Sequence, residues 1–115
     1  MELTVLGSCG SYGAPGGGGA CSGYLVREGS TALWLDCGNG TFPNLQRHLP
    51  IEDLTAVVVT HEHPDHCVDL FGLAVRLSYG PRSEGSPAPG VPVFAPPGLK
   101  ERLGGLIGGD WGSAL

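Results

Sequence analysis

Three of the four histidines fall within six residues, in the run H-E-H-P-D-H at positions 61–66. In an extended chain, side chains two residues apart point the same way, so His61 and His63 can converge on one ion. Pro64 then turns the chain, and we expect Asp65 and His66 to emerge from the first turn of a following helix. Neutral imidazoles and a carboxylate are ligands that suit zinc and similar divalent metals. The run therefore predicts a metal site.

Each of these residues also has a simpler role. Asp65 could cap the following helix, and any single histidine could lie on the surface. These roles do not explain four such groups in six positions after a valine-rich segment. For four other residues of similar chemistry we expect the simpler role. Glu62 and His48 are expected to be solvated, and Cys37 and Cys67 to be small buried apolar residues.

Other catalytic motifs do not fit the sequence. Residues 7–13 are rich in glycine, but a dinucleotide-binding fingerprint needs a helix next, and Pro15 followed by four glycines cannot begin one. The single lysine, Lys100, lacks the glycine frame of a phosphate-binding loop, and there is no G-x-S-x-G elbow of a serine hydrolase. We interpret the glycine-rich segment as a loop on the side of the active site.

Short strands and helices must position the cluster. The valine run 55–60 predicts a strand buried on both faces, and ligands commonly gather beyond the carboxyl end of such a strand. Residues 67–79 predict a helix that is apolar nearly all round and so needs cover on several sides. Further elements are predicted as strands at 2–6, 20–27, 31–35 and 91–95, and as helices at 41–49, capped by Thr41, and at 99–107.

The 21 glycines and 10 prolines are concentrated in the segments 7–19, 80–98 and 104–112. The chain is 41% hydrophobic and only 15% charged, which is the opposite of the balance in strongly disordered proteins. A length of 115 residues suits one domain. We therefore expect one folded unit with loops at 7–19 and 80–90 and a disordered tail at 108–115.

The charge of the chain limits its partners. A net charge of −5 disfavours a general polyanion binder, and the longest aliphatic run, 56–59, is too short to span a membrane. The N-terminal segment contains Glu2 and no basic stretch, so it does not resemble a signal peptide. We therefore expect four free thiols and a cytoplasmic location.

The segment TAVVVTHEHPDH resembles the metal-binding signature of the metallo-β-lactamase fold family. LGSCGSYGAPGGGGACSGYLV is similar to the glycine-rich entry of its ribonuclease Z and cyclic-nucleotide phosphodiesterase branch. LWLDCGNG and VPVFAPPGLKERL resemble the aspartate-glycine turn and the next strand and helix of the family. The resemblance implies an α+β fold, the αββα sandwich, of which this chain would form the N-terminal half: one mixed β-sheet with flanking helices.

The same resemblance assigns roles to five residues. It implies that His61 and His63 bind one metal, that Asp65 and His66 bind a second, and that Asp65 orients or deprotonates the attacking water. It also implies that Asp36 supports the ligand loop from behind. The implied cofactor is zinc, as one or two divalent ions, with manganese as an alternative. Zinc lowers the pKa of its bound water to about 7, which supplies a metal-bound hydroxide near neutral pH.

The chain departs from the family in one respect. Family members add metal ligands far downstream, whereas no histidine follows His66. We therefore expect the isolated chain to bind metal weakly and to hydrolyse little. The helix at 67–79 and the strand segment 57–59 are expected to lack cover, which would favour a homo-oligomer or association with a missing C-terminal half.

The expected function is that of a metal-dependent hydrolase, specifically a phosphodiesterase. The acidic charge favours a small phosphodiester over RNA as its substrate, and no membrane partner is expected. Two alternatives stay open. One is lactone or thioester hydrolysis on the same fold, and the other is a non-catalytic metal-binding or interaction module.

Overall fold

A computed structural model describes residues 1–15, 19–80 and 90–107 of the chain. Its five strands form one sheet in the order β1-β2-β3-β4-β5, which confirms the predicted mixed sheet. The strands are β1 (Glu2–Gly7), β2 (Gly23–Glu28), β3 (Thr31–Leu35), β4 (Ala56–Val58) and β5 (Val93–Phe94). The tail predicted at 108–115 and nearly all of the loop predicted at 80–90 lie outside the described residues.

The pairing of the strands decides where the functional residues meet. Strands β1, β2 and β3 are antiparallel, whereas β3 pairs with β4 and β4 with β5 in parallel. The β2–β3 hairpin closes through Gly29 and Ser30, and Gly29 adopts a φ of 59° that a residue with a side chain rarely takes. Because β3 and β4 are parallel, the residues that follow Leu35 and Val58 meet at one edge of the sheet.

Four helices pack against one face of this sheet: α1 (Thr41–Gln46), α2 (Pro64–Cys67), α3 (Leu70–Tyr79) and α4 (Leu99–Ile107). A short 3-10 turn at Ile51–Asp53 precedes β4. In the part of the chain that the structure describes, no helix is long and apolar enough to cross a membrane.

Helix α1 is shorter than predicted and is not capped by Thr41. The residue before the helix is Gly40, and the Thr41 hydroxyl donates a hydrogen bond back to the carbonyl of Gly38 at 2.7 Å. The cap comes from another part of the chain, because the Asp69 carboxylate accepts a hydrogen bond from the backbone N–H of Phe42 at 2.8 Å. Distant residues can supply such caps, and sequence spacing does not reveal them.

The helix predicted at 67–79 is two helices. In a continuous helix the Asp65 carbonyl would accept from the backbone N–H of Asp69. Here the Asp65 carbonyl accepts from the N–H of Ser22 at 3.3 Å, and the Asp69 N–H donates to the Cys37 carbonyl at 2.9 Å. The helix therefore breaks between α2 and α3, where Ser22, just before β2, and Cys37, just after β3, supply the hydrogen-bonding partners.

The core lies between the helices and the inner face of the sheet. Leu25, Trp34 and Val57 are neighbours in register on that face and are fully buried, and Trp34 stacks on Phe42 of α1 at 5.6 Å. The expectation that the segment 57–59 lacks cover is therefore wrong for Val57 and for Val59, which is 3% exposed. On the other face Ala56 is buried but Val58 is only half-buried, so the prediction that the strand is buried on both faces holds for Ala56 and not for Val58.

No described helix packs on that other face, which we call the outer face. Two adjacent cross-strand rows on it are entirely apolar or aromatic, and beyond them Glu28 pairs with Thr31. The rows comprise Leu3, Val26, Leu33 and Ala56, and Val5, Tyr24, Leu35, Val58 and Phe94. The side of α3 turned away from the sheet is also partly open, as expected for a helix that is apolar nearly all round, with Phe71 42% exposed.

Candidate functional site

Residues 60–66 follow β4 and run into the first turn of α2, and they are called the histidine loop below. His63 is extended, with φ −67° and ψ 144°, and stands at the N-cap position of α2. Pro64 occupies the first helical position, where its missing N–H costs no hydrogen bond. The loop thus ends in a helix start that carries Asp65 and His66 in its first turn, as the sequence indicated.

Asp36 lies at the centre of the site, directly after β3. Its side chain is buried, and its φ of 60° is the one positive value at a residue other than glycine in the described segments. Aspartate tolerates this left-handed conformation better than most residues, but it still carries strain, and strain of this kind concentrates at functional sites. Its carboxylate accepts hydrogen bonds from the N–H of Thr60 at 2.7 Å and from the Thr60 hydroxyl at 2.8 Å.

The Thr60 hydroxyl links this carboxylate to His61 through two hydrogen bonds. The single hydroxyl proton of Thr60 is donated to Asp36, so the Thr60 oxygen is free to accept a hydrogen bond from Nδ1 of His61, 2.8 Å away. That arrangement assigns the Nδ1–H tautomer to His61 and leaves its Nε2 with a free lone pair. Thr60 is a residue of the candidate site that the sequence analysis did not name, although a hydroxyl directly before H-x-H is a signal that could have found it.

His66 is held directly by the same carboxylate. Its Nδ1 lies 2.9 Å from Oδ2 of Asp36, and its Nε2 lies 3.3 Å from Oδ2 of Asp65. In the tautomer that donates from Nδ1 to Asp36, the unprotonated Nε2 faces a carboxylate oxygen. Two lone pairs facing each other repel, and a cation bound by both atoms removes that repulsion. The donor set at this point therefore fits a divalent metal.

The four predicted ligands are brought into one cluster. The ring centroid of His61 lies 4.5 Å from that of His66 and 6.1 Å from that of His63. Across residues 1–15, 19–80 and 90–107, however, no three His, Cys, Asp or Glu side chains stand in an arrangement that could hold a metal ion. The donors present thus suit a metal in their chemistry, and their assignment as ligands stays a prediction.

Gly38 sets how closely the turn after β3 approaches the histidine loop. A Cβ at Gly38 would overlap the carbonyl oxygen of Asp65 and lie 2.6 Å from the backbone nitrogen of Ser22. The neighbouring Cys37 N–H donates to the carbonyl of His66 at 2.6 Å. The glycine in the D-C-G-N-G turn is therefore needed for backbone contact with two of the candidate ligands.

Glu62 does not have the solvated role expected from the sequence. Its side chain points away from the histidines to α4, where one carboxylate oxygen lies 2.9 Å from Nε of Arg102. Its backbone carbonyl accepts a hydrogen bond from the Cys67 thiol at 3.4 Å. Glu62 thus ties the histidine loop to α4 on one side and to α2 on the other.

The cysteines near the site behave as buried apolar residues. All four are unpaired, and only Cys9 is exposed. Burial raises the pKa of the Cys37 thiol well above its usual range, with the charge of Asp36 acting in the same direction. Burial also raises the pKa of Cys67, again with a nearby carboxylate, Asp65, adding to the effect. Both pKa shifts agree with the expectation that Cys37 and Cys67 act as small buried apolar residues.

Comparison with known proteins places these features in a family. The profile of the Metallo-beta-lactamase superfamily matches residues 16–112. The chain is 41% identical over 80 residues to the Probable metallo-hydrolase YhfI of Bacillus subtilis (strain 168), covering 70% of this chain and 32% of that protein. It is 35% identical over 105 residues to the Ribonuclease Z of Mycobacterium bovis (strain BCG / Pasteur 1173P2), covering 88% of this chain and 35% of that protein.

Solved structures agree with the sequence relatives. The crystal structure of YhfI from Bacillus subtilis matches with a TM-score of 0.72 and 30% identity, over 93% of this chain and 42% of that one. Human tRNase Z, short form (ELAC1), matches with a TM-score of 0.69 and 28% identity, over 92% of this chain and 40% of that one. The chain spans about a third of the length of the curated relatives it matches, which agrees with the predicted N-terminal half.

Proposed function

The chain belongs to the metallo-beta-lactamase superfamily, and on that premise we propose that it carries the metal-binding part of a hydrolase that cleaves phosphodiesters. Members of this superfamily usually bind divalent metals, often zinc. The relatives include a ribonuclease Z and a probable metallo-hydrolase, and the first of these names points to phosphodiester chemistry. Because the chain spans about a third of these relatives, the activity of a whole enzyme is part of the proposal.

One observation carries the proposal. Asp36 orients two histidines at once, His66 directly and His61 through Thr60. In both rings Nδ1 then carries the proton, and Nε2 is left unprotonated. Histidine ligands in metal enzymes are held in this way, with the second ring nitrogen bonded to a carboxylate or another acceptor. A surface histidine that binds no metal does not require a buried, strained aspartate to orient its ring.

Each residue then has a defined role. His61 and His63 hold one divalent ion and Asp65 and His66 a second, with zinc as the expected metal and manganese as the alternative. When bound, such ions supply positive charge for the phosphoryl oxygens and lower the pKa of water. Asp65 orients the attacking water and takes up its proton at a carboxylate oxygen. Asp36 fixes the rings and does not touch the substrate.

The proposed substrate is a small phosphodiester such as a cyclic nucleotide. The chain has six basic and eleven acidic residues, so it offers no broad cationic surface for structured RNA. The cytoplasmic location expected from the free thiols is compatible with such a substrate and stays part of the proposal.

The test is a metal titration joined to an activity assay. The chain is stripped with a chelator and titrated with Zn²⁺ or Mn²⁺ against a competing indicator dye, and hydrolysis of bis(p-nitrophenyl) phosphate is followed in the same samples. We expect weak binding and slow turnover, because a catalytic zinc usually has three protein ligands and this chain supplies two for each ion.

His63→Ala and Asp65→Ala should abolish both signals, whereas His48→Ala is the matched control, because His48 lies exposed after α1. Turnover of the phosphodiester that survives in either site variant would overturn the proposed mechanism. Hydrolysis of a lactone or thioester without hydrolysis of the phosphodiester would support the first alternative chemistry.

A second candidate function is a non-catalytic metal-binding or interaction module. It is favoured by the size of the donor set, since a catalytic zinc usually has three protein ligands and His61, His63, Asp65 and His66 supply two for each ion. Metal binding that His63→Ala abolishes, with no turnover of any of the three substrates in the wild-type chain, would favour the module over the enzyme.

A further inference from the structure

The guanidinium of Arg47, which directly follows α1, has no hydrogen-bond acceptor among the residues that the structure describes. The other arginines of these segments each donate to a protein oxygen: Arg27 to the carbonyl of His48 at 3.0 Å, Arg76 to Glu52 at 2.7 Å and Arg102 to Glu62 at 2.9 Å. A guanidinium carries five N–H donors and binds carboxylate and phosphate groups especially well. Arg47 therefore has its positive charge and its donors available for a ligand.

Two cavities meet at Arg47 and Asn44, which line both of them. The smaller, of about 170 Å³, lies between the end of β1 and α1 and is also lined by Ser8. The larger, of about 610 Å³, lies between α1 and the described part of the glycine-rich segment. The chain has eleven acidic and six basic residues, yet no acidic residue among those described lines either cavity. A cation at the C-terminal end of a helix is favourable in itself, but it does not account for surroundings without carboxylates.

We propose that the smaller cavity binds a phosphate group, either as free inorganic phosphate or as part of a small phosphomonoester. The planar fork of the Arg47 guanidinium donates to two phosphate oxygens at once. Asn44 is already held in place, because its amide nitrogen donates one hydrogen to the carbonyl of Leu6 at 2.8 Å. The second hydrogen of that amide and the hydroxyl of Ser8 supply further donors.

The size of the smaller cavity favours a phosphate group over a larger anion. A water molecule takes about 30 Å³ of the liquid, so a cavity of about 170 Å³ holds a group of five heavy atoms and not a nucleoside. An organic substituent on the phosphate extends past Arg47 into the larger cavity. Neither cavity is lined by any of the four candidate metal ligands, so this site is separate from the histidine loop and does not rest on the proposed hydrolase activity.

An NMR titration of the amide groups of the 115-residue chain with inorganic phosphate, at constant ionic strength, tests the proposal. A chelator is present so that no metal can itself recruit phosphate. The backbone amides of Ser8 and Arg47 and the side-chain amide of Asn44 should shift to saturation. The dissociation constant should be on the order of 1 mM, as a few charge-assisted hydrogen bonds at a partly exposed site would give. Phenyl phosphate distinguishes the two sources: tighter binding with added shifts at Gly13 and Gly40 indicates a phosphomonoester, and equal binding indicates free phosphate.

Arg47→Met and Ser8→Asp should each weaken phosphate binding by about tenfold or more, because the first removes the positive charge and the second places a carboxylate in the cavity. Both residues are exposed, so both variants should fold, and the dispersion of their amide signals checks this.

Lys100→Met is the matched control, because it removes an exposed positive charge from α4 and Lys100 lines neither cavity. It should bind phosphate like the wild-type chain. Shifts that do not saturate by about 20 mM phosphate (about 20 times the expected constant), shifts confined to the histidine loop, or equal losses in Arg47→Met and Lys100→Met would each overturn the inference.

Discussion

Nδ1 of His66 lies 2.9 Å from Oδ2 of Asp36, a residue thirty positions earlier in the chain. The contact joins the end of β3 to the start of α2, across the edge of the sheet where β3 and β4 run parallel. It means that the orientation of a candidate ligand is decided by a strand other than the one that leads into the histidine loop. The five predictions below concern contacts of this kind, between residues far apart in the sequence.

Asp36→Asn should weaken both the fold and the metal site. An amide cannot accept from Thr60 and His66 as a carboxylate does, and a buried donor left unpaired costs about 1–3 kcal/mol. Loss of a group that orients a metal ligand typically lowers metal affinity by about 10- to 100-fold. Urea unfolding and Zn²⁺ titration measure the two effects. Asp53→Asn is the control, because Asp53 is exposed, and equal results for the two variants would contradict the role of Asp36.

Thr60→Val should show the effect of losing the hydrogen bonds of the Thr60 hydroxyl while the size of the side chain is kept. Valine matches threonine in size but cannot accept from Nδ1 of His61 or donate to Asp36, which removes net stabilisation of about 1 kcal/mol. Zn²⁺ affinity should fall by a smaller factor than in Asp36→Asn, because only one histidine is released. Thr60→Ser retains the hydroxyl and should restore affinity. A serine variant as weak as the valine variant would exclude this role of the Thr60 hydroxyl.

Gly38→Ala should destabilise the chain strongly, because the added Cβ would overlap the Asp65 carbonyl. Relieving that overlap requires backbone movement at the histidine loop, and overpacking of this kind costs about 1–3 kcal/mol or more. Gly105→Ala is the control: a Cβ there meets nothing within 4 Å, and alanine favours α4 by roughly 0.5–1 kcal/mol over glycine. Thermal unfolding of both variants should therefore shift in opposite directions, and a shift of the same sign would contradict this account.

Asp69 predicts a pH dependence of stability. Burial raises the pKa of its carboxyl above the usual value, although hydrogen bonds from the backbone N–H groups of Phe42, Gly40 and Thr41 oppose the shift. The folded state therefore holds this proton more tightly than the unfolded state. The contribution of Asp69 to the free energy of unfolding should fall as the pH rises from its ordinary pKa, about 4, through the raised value.

Asp69→Asn removes this titration and all other groups remain, so the difference in unfolding free energy between wild type and variant isolates it. Urea unfolding from about pH 4 to pH 7 brackets the titration of a carboxyl. The wild-type chain should lose stability relative to the variant as the pH rises. A difference that is constant, or that moves in favour of the wild type, would show that the hydrogen bonds outweigh burial.

Loss of the ion pair between Glu62 and Arg102 should change the Zn²⁺ affinity of the histidine loop more than the stability of the fold. Arg102 is largely exposed, and exposed ion pairs contribute only about 0.2–1 kcal/mol. We expect Glu62→Gln and Arg102→Met each to lower Zn²⁺ affinity by about two- to fivefold, and the double variant to be no weaker than either alone, as expected when both remove one shared contact. Lys100→Met, also on α4, is the control. Additive losses would show that the two residues act separately.

The sequence was most informative where structure is local. The β2–β3 hairpin appears where apolar alternation and the Glu-Gly-Ser turn predicted it, with β3 at Thr31–Leu35, and α4 spans the predicted residues 99–107. The histidine loop was likewise evident from six consecutive positions. Neighbouring residues decide each of these features, because hydrogen-bond ladders and side-chain periodicity repeat over two to four positions.

The same reasoning failed where distant groups compete with local ones. The helix predicted at 67–79 splits because the carbonyl of Cys37 takes the Asp69 N–H and Ser22 takes the Asp65 carbonyl. Thr41 is not the cap of α1, because the Asp69 carboxylate, between α2 and α3, accepts the hydrogen bond from the Phe42 N–H. Helical periodicity is uninterrupted through both places, so the sequence pattern contains no trace of these partners.

By itself the sequence determined the donors of the candidate site, the mixed α+β architecture and, through motif order, the superfamily. Only the tertiary structure decided how the donors are held: the parallel pairing of β3 and β4 brings Asp36 to Thr60 and His66. It also decided which apolar residues face the described helices, since Val57 and Val58 are adjacent in sequence but lie on opposite faces of the sheet. The physical reason is that residue type fixes what a side chain can bind or bury, whereas long-range packing selects its partner.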